Sequence, residues 1–112
     1  MSRLIQQAQL SVQRALVGEI TSQVRVVSVE VNARQITVRV YHHGAASDEL
    51  WDDLDASMAE VYADFPSDGP EAVSVNLKLL RCNEPEPVPA LGIPIFGRKG
   101  TQFREWTPTD VW

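Results

Sequence analysis

The chain has 112 residues, 44% of them hydrophobic, and its fifteen acidic and ten basic side chains give a formal net charge of −5. This length and composition predict a single domain over residues 1–112 and exclude two separate cores. The negative charge makes nucleic acid a poor partner, because its phosphates would be repelled, and it favours a basic protein instead.

The first forty or so residues predict a helix followed by a β-hairpin. Apolar residues at spacings of three and four indicate an amphipathic helix over residues 3–17, with Gly18 where the helix would end. The Val-rich residues 23–31 and the alternating residues 35–41 indicate two strands joined by a short polar turn.

Side chains of the second strand alternate between the two faces of the predicted sheet. One face carries branched apolar side chains and would pack on the helices. An antiparallel sheet can leave its other face wet, and a homodimeric structural or adaptor protein would use such an open face. The predicted open face comprises Thr37, Arg39 and Tyr41.

The second helix has the clearest pattern in the chain. Ser47 is placed to cap it, and Pro66 ends it after about residue 65. Its apolar side chains fall on one face, and its carboxylates gather on the opposite face. Because residues 42–77 contain no Lys or Arg, that charge is not neutralised locally. The acidic face comprises Glu49, Asp52, Asp53, Glu60 and Asp64.

The remaining chain predicts one or two more strands. Residues 72–79 alternate and indicate a strand, residues 83–92 form a Pro-rich connection over the surface, and residues 93–98 indicate a short edge strand. Residues 100–112 are a C-terminal tail, part of which would pack on the domain. The predicted fold is α+β in the order α-β-β-α-β-(β), with two helices on one face of an antiparallel sheet of three or four strands.

The acidic face is the main candidate for contact with a partner, although an ordinary surface helix also has a charged outer face. Trp51 and Tyr62 border the apolar side of the same helix, where they either anchor an interface or cover the core. A helix edge that combines aromatic surface with negative charge suits protein recognition.

No constellation of residues in the sequence indicates catalysis or metal binding. The carboxylates lack the fixed offsets of a calcium loop, and the adjacent His42 and His43 would point to opposite sides of a strand. Cys82 has no base near it in sequence, and the glycines form no phosphate-binding run. We therefore expect no enzyme activity, metal or cofactor.

The chain has neither a secretion signal nor an apolar run long enough to cross a membrane. Cys82 is the single cysteine, which fits a reducing compartment. We therefore expect a cytoplasmic protein without a membrane partner.

Several segments follow one another as in a known family. Residues 15–21 have the pattern Ala-Leu-x-Gly-x-Ile-Thr and residues 59–65 the pattern Ala-Glu-x-x-Ala-Asp-Phe, with further matching segments at 25–30, 47–49 and 85–99. Over about its first hundred residues the chain resembles a family of small bacterial immunity proteins from contact-dependent growth inhibition or colicin-like toxin systems. It departs from the family pattern at residues 95–99 and in the tail.

The resemblance implies a protein that is made with a toxin and neutralises it by binding, without chemistry of its own. A toxin that cuts RNA has a basic cleft, and an acidic helix can occupy such a cleft in place of phosphate. On this hypothesis the partner-binding residues are the acidic face together with Trp51 and Tyr62.

Overall fold

A computed structural model of the chain describes residues 2–111, so Trp112, the last residue of the predicted tail, lies outside the described residues. The order α-β-β-α-β is confirmed, and the predicted edge strand is present. The helices are α1 (Ser2–Ala15) and α2 (Asp48–Ala63), the strands are β1 (Val24–Asn32), β2 (Gln35–His42), β3 (Ser74–Arg81), β4 (Val88–Pro89), β5 (Ile93–Gly97) and β6 (Phe103–Arg104), and a 3₁₀ turn spans Pro108–Asp110.

Four strands form one mixed sheet in the order β3-β2-β1-β5. β1 pairs antiparallel with β2 and with β5, whereas β3 runs parallel to β2, with Gln35 opposite Ser74 and His42 opposite Arg81. The prediction of a wholly antiparallel sheet is therefore wrong. The reason is that α2 returns the chain to the end of the sheet at which β2 began, and such a crossover joins parallel strands.

Both helices contribute to one core cluster with a single face of the sheet. α2 begins where the cap residue predicts, because the Ser47 hydroxyl accepts a hydrogen bond of 3.1 Å from the backbone N–H of Leu50. Full burial of each branched side chain stabilises the fold by about 2 kcal/mol. Fully buried members of this cluster include Ala8, Val12, Val27, Ile36, Val38, Val40, Leu50, Leu54 and Val61.

The second face of the sheet is covered by later segments of the chain. Thr37, Arg39 and Tyr41 are only 9%, 2% and 3% exposed, so the prediction that they form an open face is wrong. Val88 is fully buried and packs with Tyr41 in a second apolar cluster. This face is buried because the Pro-rich backbone is extended and packs its apolar side chains against the sheet.

The covering segment is held in place by backbone pairing and by one buried arginine. β4 pairs parallel with β6, so part of the tail packs on the Pro-rich segment. The guanidinium of Arg25 donates to the carbonyl oxygens of Cys82 at 2.9 Å and of Glu86 at 2.7 Å. Residues 83–92 are therefore a structural layer and not only a surface connection.

Candidate functional site

The surface of α2 has two flanks of different character. Asp64 lies on the flank toward α1, where its carboxylate accepts a hydrogen bond of 2.6 Å from the Ser11 hydroxyl and lies 3.1 Å from the guanidinium of Arg14. On the flank toward β3, the Tyr62 hydroxyl donates to the carbonyl oxygen of Val75 at 3.0 Å. Asp64 and Tyr62 therefore lie on opposite flanks of the helix.

Most of the acidic face is solvated. Glu49, Asp52 and Glu60 are exposed, and Asp53 is partly buried. Within residues 2–111, Asp64, which caps the C-terminus of α2, is the one member of the acidic face that lies within salt-bridge distance of a cation. The other carboxylates thus keep an uncompensated negative field around the outer side of the helix.

Two of these carboxylates line a groove beside the first turns of α2. Glu49 and Asp53 form one wall, and residues 18–23 between α1 and β1, which include Glu19, form the other. The groove has a volume of about 410 Å³ and is open to solvent. Three carboxylates at one concave surface favour a cationic side chain of a partner over an anionic one.

The aromatic side chains of α2 are unusually exposed for their size. Trp51 is 46% and Tyr62 is 52% exposed, so each leaves about half of its surface to solvent. Both were predicted as site residues, and both lie near the apolar side of the helix. The tail adds two more exposed aromatic side chains, Phe103 at 47% and Trp106 at 49%.

Sequence reasoning missed the polar cluster on the second face of the sheet. The guanidinium of Arg39 lies 2.8 Å from the carboxylate of Glu30, its diagonal neighbour on β1. Within residues 2–111, the Ser28 and Tyr41 hydroxyls are buried without a hydrogen-bond partner. Burial raises the pKa of the Tyr41 phenol. The sequence contains no signal of this cluster, because an arginine at an alternating strand position usually indicates an exposed face.

The two adjacent histidines serve the loop that follows β2. His42 is buried, and its Nδ1 lies 2.9 Å from the carbonyl oxygen of Gly44. Burial lowers the pKa of the His42 imidazole. His43 Nδ1 instead accepts a hydrogen bond of 2.9 Å from the backbone N–H of Glu84. The two rings therefore make separate contacts and do not converge on one point.

Two other kinds of site are absent from residues 2–111. No group of three or more His, Cys, Asp or Glu side chains in that part of the chain is arranged to hold a metal ion. No helix among those residues is both long and apolar enough to cross a membrane.

Comparison with known proteins identifies one family. A family model described as MafI2 immunity protein matches residues 5–100, which include all of α2 and the sheet β3-β2-β1-β5. The match ends before β6 and the 3₁₀ turn. No curated protein matches the chain.

Proposed function

The chain belongs to the MafI2 immunity protein family, and on that premise we propose that it binds a cognate bacterial toxin and neutralises it by occupying a surface that the toxin needs. The family match over residues 5–100 is the observation that carries this proposal. Inhibition of this kind works by binding alone, so the proposal contains no catalytic step, metal or cofactor. The proposed place of action is the cytoplasm, and the proposed setting is a contact-dependent growth inhibition system.

The proposed contact surface is the acidic face of α2. Its support is electrostatic, because residues 42–77 contain no Lys or Arg and a net charge of −5 belongs to the whole chain. A basic toxin surface would be attracted over a Debye length, which speeds encounter and disfavours acidic partners. The proposed contact residues are Glu49, Asp52, Asp53 and Glu60, with Asp64 adding to the field while it is held by α1.

Trp51 and Tyr62 are the proposed apolar anchors, and they lie on the flank of α2 toward β3, across the outer side of the helix from Asp53 and Glu60. Large aromatic side chains contribute much of the binding energy when they become fully desolvated. Acidic side chains around them favour a basic partner and orient its approach. The half-exposed state of both rings supports this role, because each has surface left to bury. The toxin surface opposite them would then combine an apolar pocket with basic side chains.

The first experiment is co-purification of the tagged chain with the product of the gene immediately upstream, followed by a measurement of affinity. The double variant Asp53→Lys/Glu60→Lys reverses two charges on the acidic face. We expect it to bind at least about tenfold more weakly, which corresponds to about 1.4 kcal/mol, and to lose most of the salt dependence of association.

A control variant reverses a single charge on the tail instead. Glu105 is exposed and lies outside the residues matched by the family model. Glu105→Lys is expected to keep the affinity of the unchanged protein. Failure to form any complex with the toxin would remove the proposed function, and equal affinity for both variants would remove the acidic face from it.

A further inference from the structure

β3 forms one edge of the four-stranded sheet, and its sole neighbour in that sheet is β2. It is eight residues long, contains neither Pro nor Gly, and pairs with β2 without a break in register. The opposite edge is less suited to pairing with an added strand. β5 has only five residues, includes Pro94 and pairs with β1 through an irregular register. β3 is therefore the long, regular edge of this fold.

The hydrogen bonds at the two ends of β3 show which of its residues direct their N–H and C=O groups toward β2. Ser74 N–H donates to the carbonyl of Arg34, and Cys82 N–H donates to the carbonyl of His42. In a parallel ladder the direction alternates, so even-numbered residues from 74 to 82 point their N–H and C=O groups toward β2. The odd-numbered residues point both groups outward, to the free edge.

Tyr62 independently supports this assignment. Its hydroxyl donates to the carbonyl oxygen of Val75, an odd-numbered residue, so that carbonyl faces away from β2. The Val75 carbonyl is the first outward-facing acceptor along β3, and Tyr62 on α2 already donates to it. The outward groups of Leu77 and Leu79 follow along the same edge, beside side chains that are only partly buried.

We propose that an extended segment of the toxin pairs with the free edge of β3 and becomes a fifth strand of the sheet. An exposed ladder of N–H and C=O groups is a template for pairing with an extended backbone. Leu77 and Leu79 supply the main-chain hydrogen bonds, and Tyr62 contacts the same edge at Val75. The inference rests on the proposed function, because it names how the same partner is held.

Net charge favours the toxin over a second copy of this chain as the added strand, although β3 itself carries the cations Lys78 and Arg81. Asp55 is exposed and precedes Tyr62 by two helical turns, so it lies on the flank of α2 that borders β3. A second copy would bring its own α2 carboxylates and its own net charge of −5 to this edge, which is repulsive. A basic segment of the toxin would be attracted to the same place.

The test is amide hydrogen exchange of the whole chain, free and bound to the toxin. In the free protein, the amides of Leu77 and Leu79 are expected to exchange fast, while those of Asn76, Lys78 and Leu80 are slow. In the complex, the two odd-numbered amides should slow by at least about tenfold, because strand addition protects them. This alternation between odd and even residues separates strand addition from simple covering of the surface.

Each other outcome overturns the proposal in a distinguishable way. If a complex forms and the amides of Leu77 and Leu79 keep their free rates, the edge is not used and the proposed function stands. If these amides are slow in the isolated chain and become fast on dilution, a second copy occupies the edge, and if they stay slow at every concentration, the edge is not free. If no complex forms, the proposed function fails together with this inference.

A matched pair of variants gives a second readout. Leu77→Ala and Leu77→Pro both lose the leucine side chain, but only the proline also loses the outward N–H, which β2 does not use. After thermal unfolding shows that both variants fold, we expect the proline variant to bind the toxin about fivefold more weakly than the alanine variant. Equal affinity of the two variants would overturn the proposal.

Discussion

Arg39 and Glu30 form an ion pair of 2.8 Å on the second face of the sheet, with the arginine side chain 2% and the glutamate side chain 34% exposed. Glu30→Gln would leave a buried guanidinium without its counter-charge, so we expect a loss of about 2 kcal/mol in the free energy of unfolding. Urea denaturation measures the loss. The double variant Glu30→Leu/Arg39→Met is the control, and it should cost less than Glu30→Gln because no charge remains buried.

Gly92 approaches β1 so closely that a side chain has no room. It has φ of 81°, and a Cβ built there would lie 2.9 Å from the carbonyl oxygen of Val29. Gly92→Ala is expected to destabilise the fold by about 2 kcal/mol. Gly69→Ala is the matched control. Gly69 has φ of 79°, and apart from its chain neighbours no atom of residues 2–111 lies within 4 Å of its built Cβ, so only the backbone cost of about 1 kcal/mol applies. Equal melting temperatures for the two variants would contradict this account.

Local patterns predicted the helices, the hairpin and the core. Each of these rests on spacing within about fifteen residues, and α2 with its Ser47 cap is the clearest case. The parallel pairing of β3 was also present in the sequence, because a helix between two strands of one sheet is the mark of a crossover. The prediction of an antiparallel β3 rested on the alternation of apolar and polar residues, which occurs in both parallel and antiparallel strands.

The burial of the second face of the sheet could not be predicted from local pattern, because the residues that cover this face are distant in the sequence. Tyr41 packs with Val88 of the Pro-rich segment, and that contact depends on where the segment returns to the sheet. Alternation assigns Thr37, Arg39 and Tyr41 to one face without stating what lies over them. The free edge of β3 is likewise a property of strand order, which no spacing in the sequence records.

His42 makes stability depend on pH. Its folded pKa is lowered from 6.5 by burial, so the folded state favours the neutral ring and the unfolded state binds more protons in mild acid. The resulting stability is present above about pH 6.5 and is lost as the pH falls through the folded pKa. We expect the melting temperature to fall between pH 8 and pH 5, and His42→Asn to reduce that fall. An unchanged slope in the variant would show that other groups cause it.

Asp64 and Glu60 belong to the same acidic face but should differ in what they contribute. Asp64 accepts a 2.6 Å hydrogen bond from Ser11 and pairs with Arg14, so Asp64→Asn is expected to cost about 1 kcal/mol of folding stability. Glu60 is exposed, and Glu60→Gln should change stability by less than about 0.5 kcal/mol.

The same two variants separate a structural role from a binding role when toxin affinity is measured beside urea denaturation. Glu60→Gln removes a solvated charge of the proposed interface, so we expect weaker and less salt-dependent binding from a protein of unchanged stability. Asp64→Asn should lower stability more than affinity, because its carboxylate is already engaged by α1. The reverse pattern, with Asp64 governing affinity and Glu60 governing stability, would move the proposed contact from the outer side of α2 to its junction with α1.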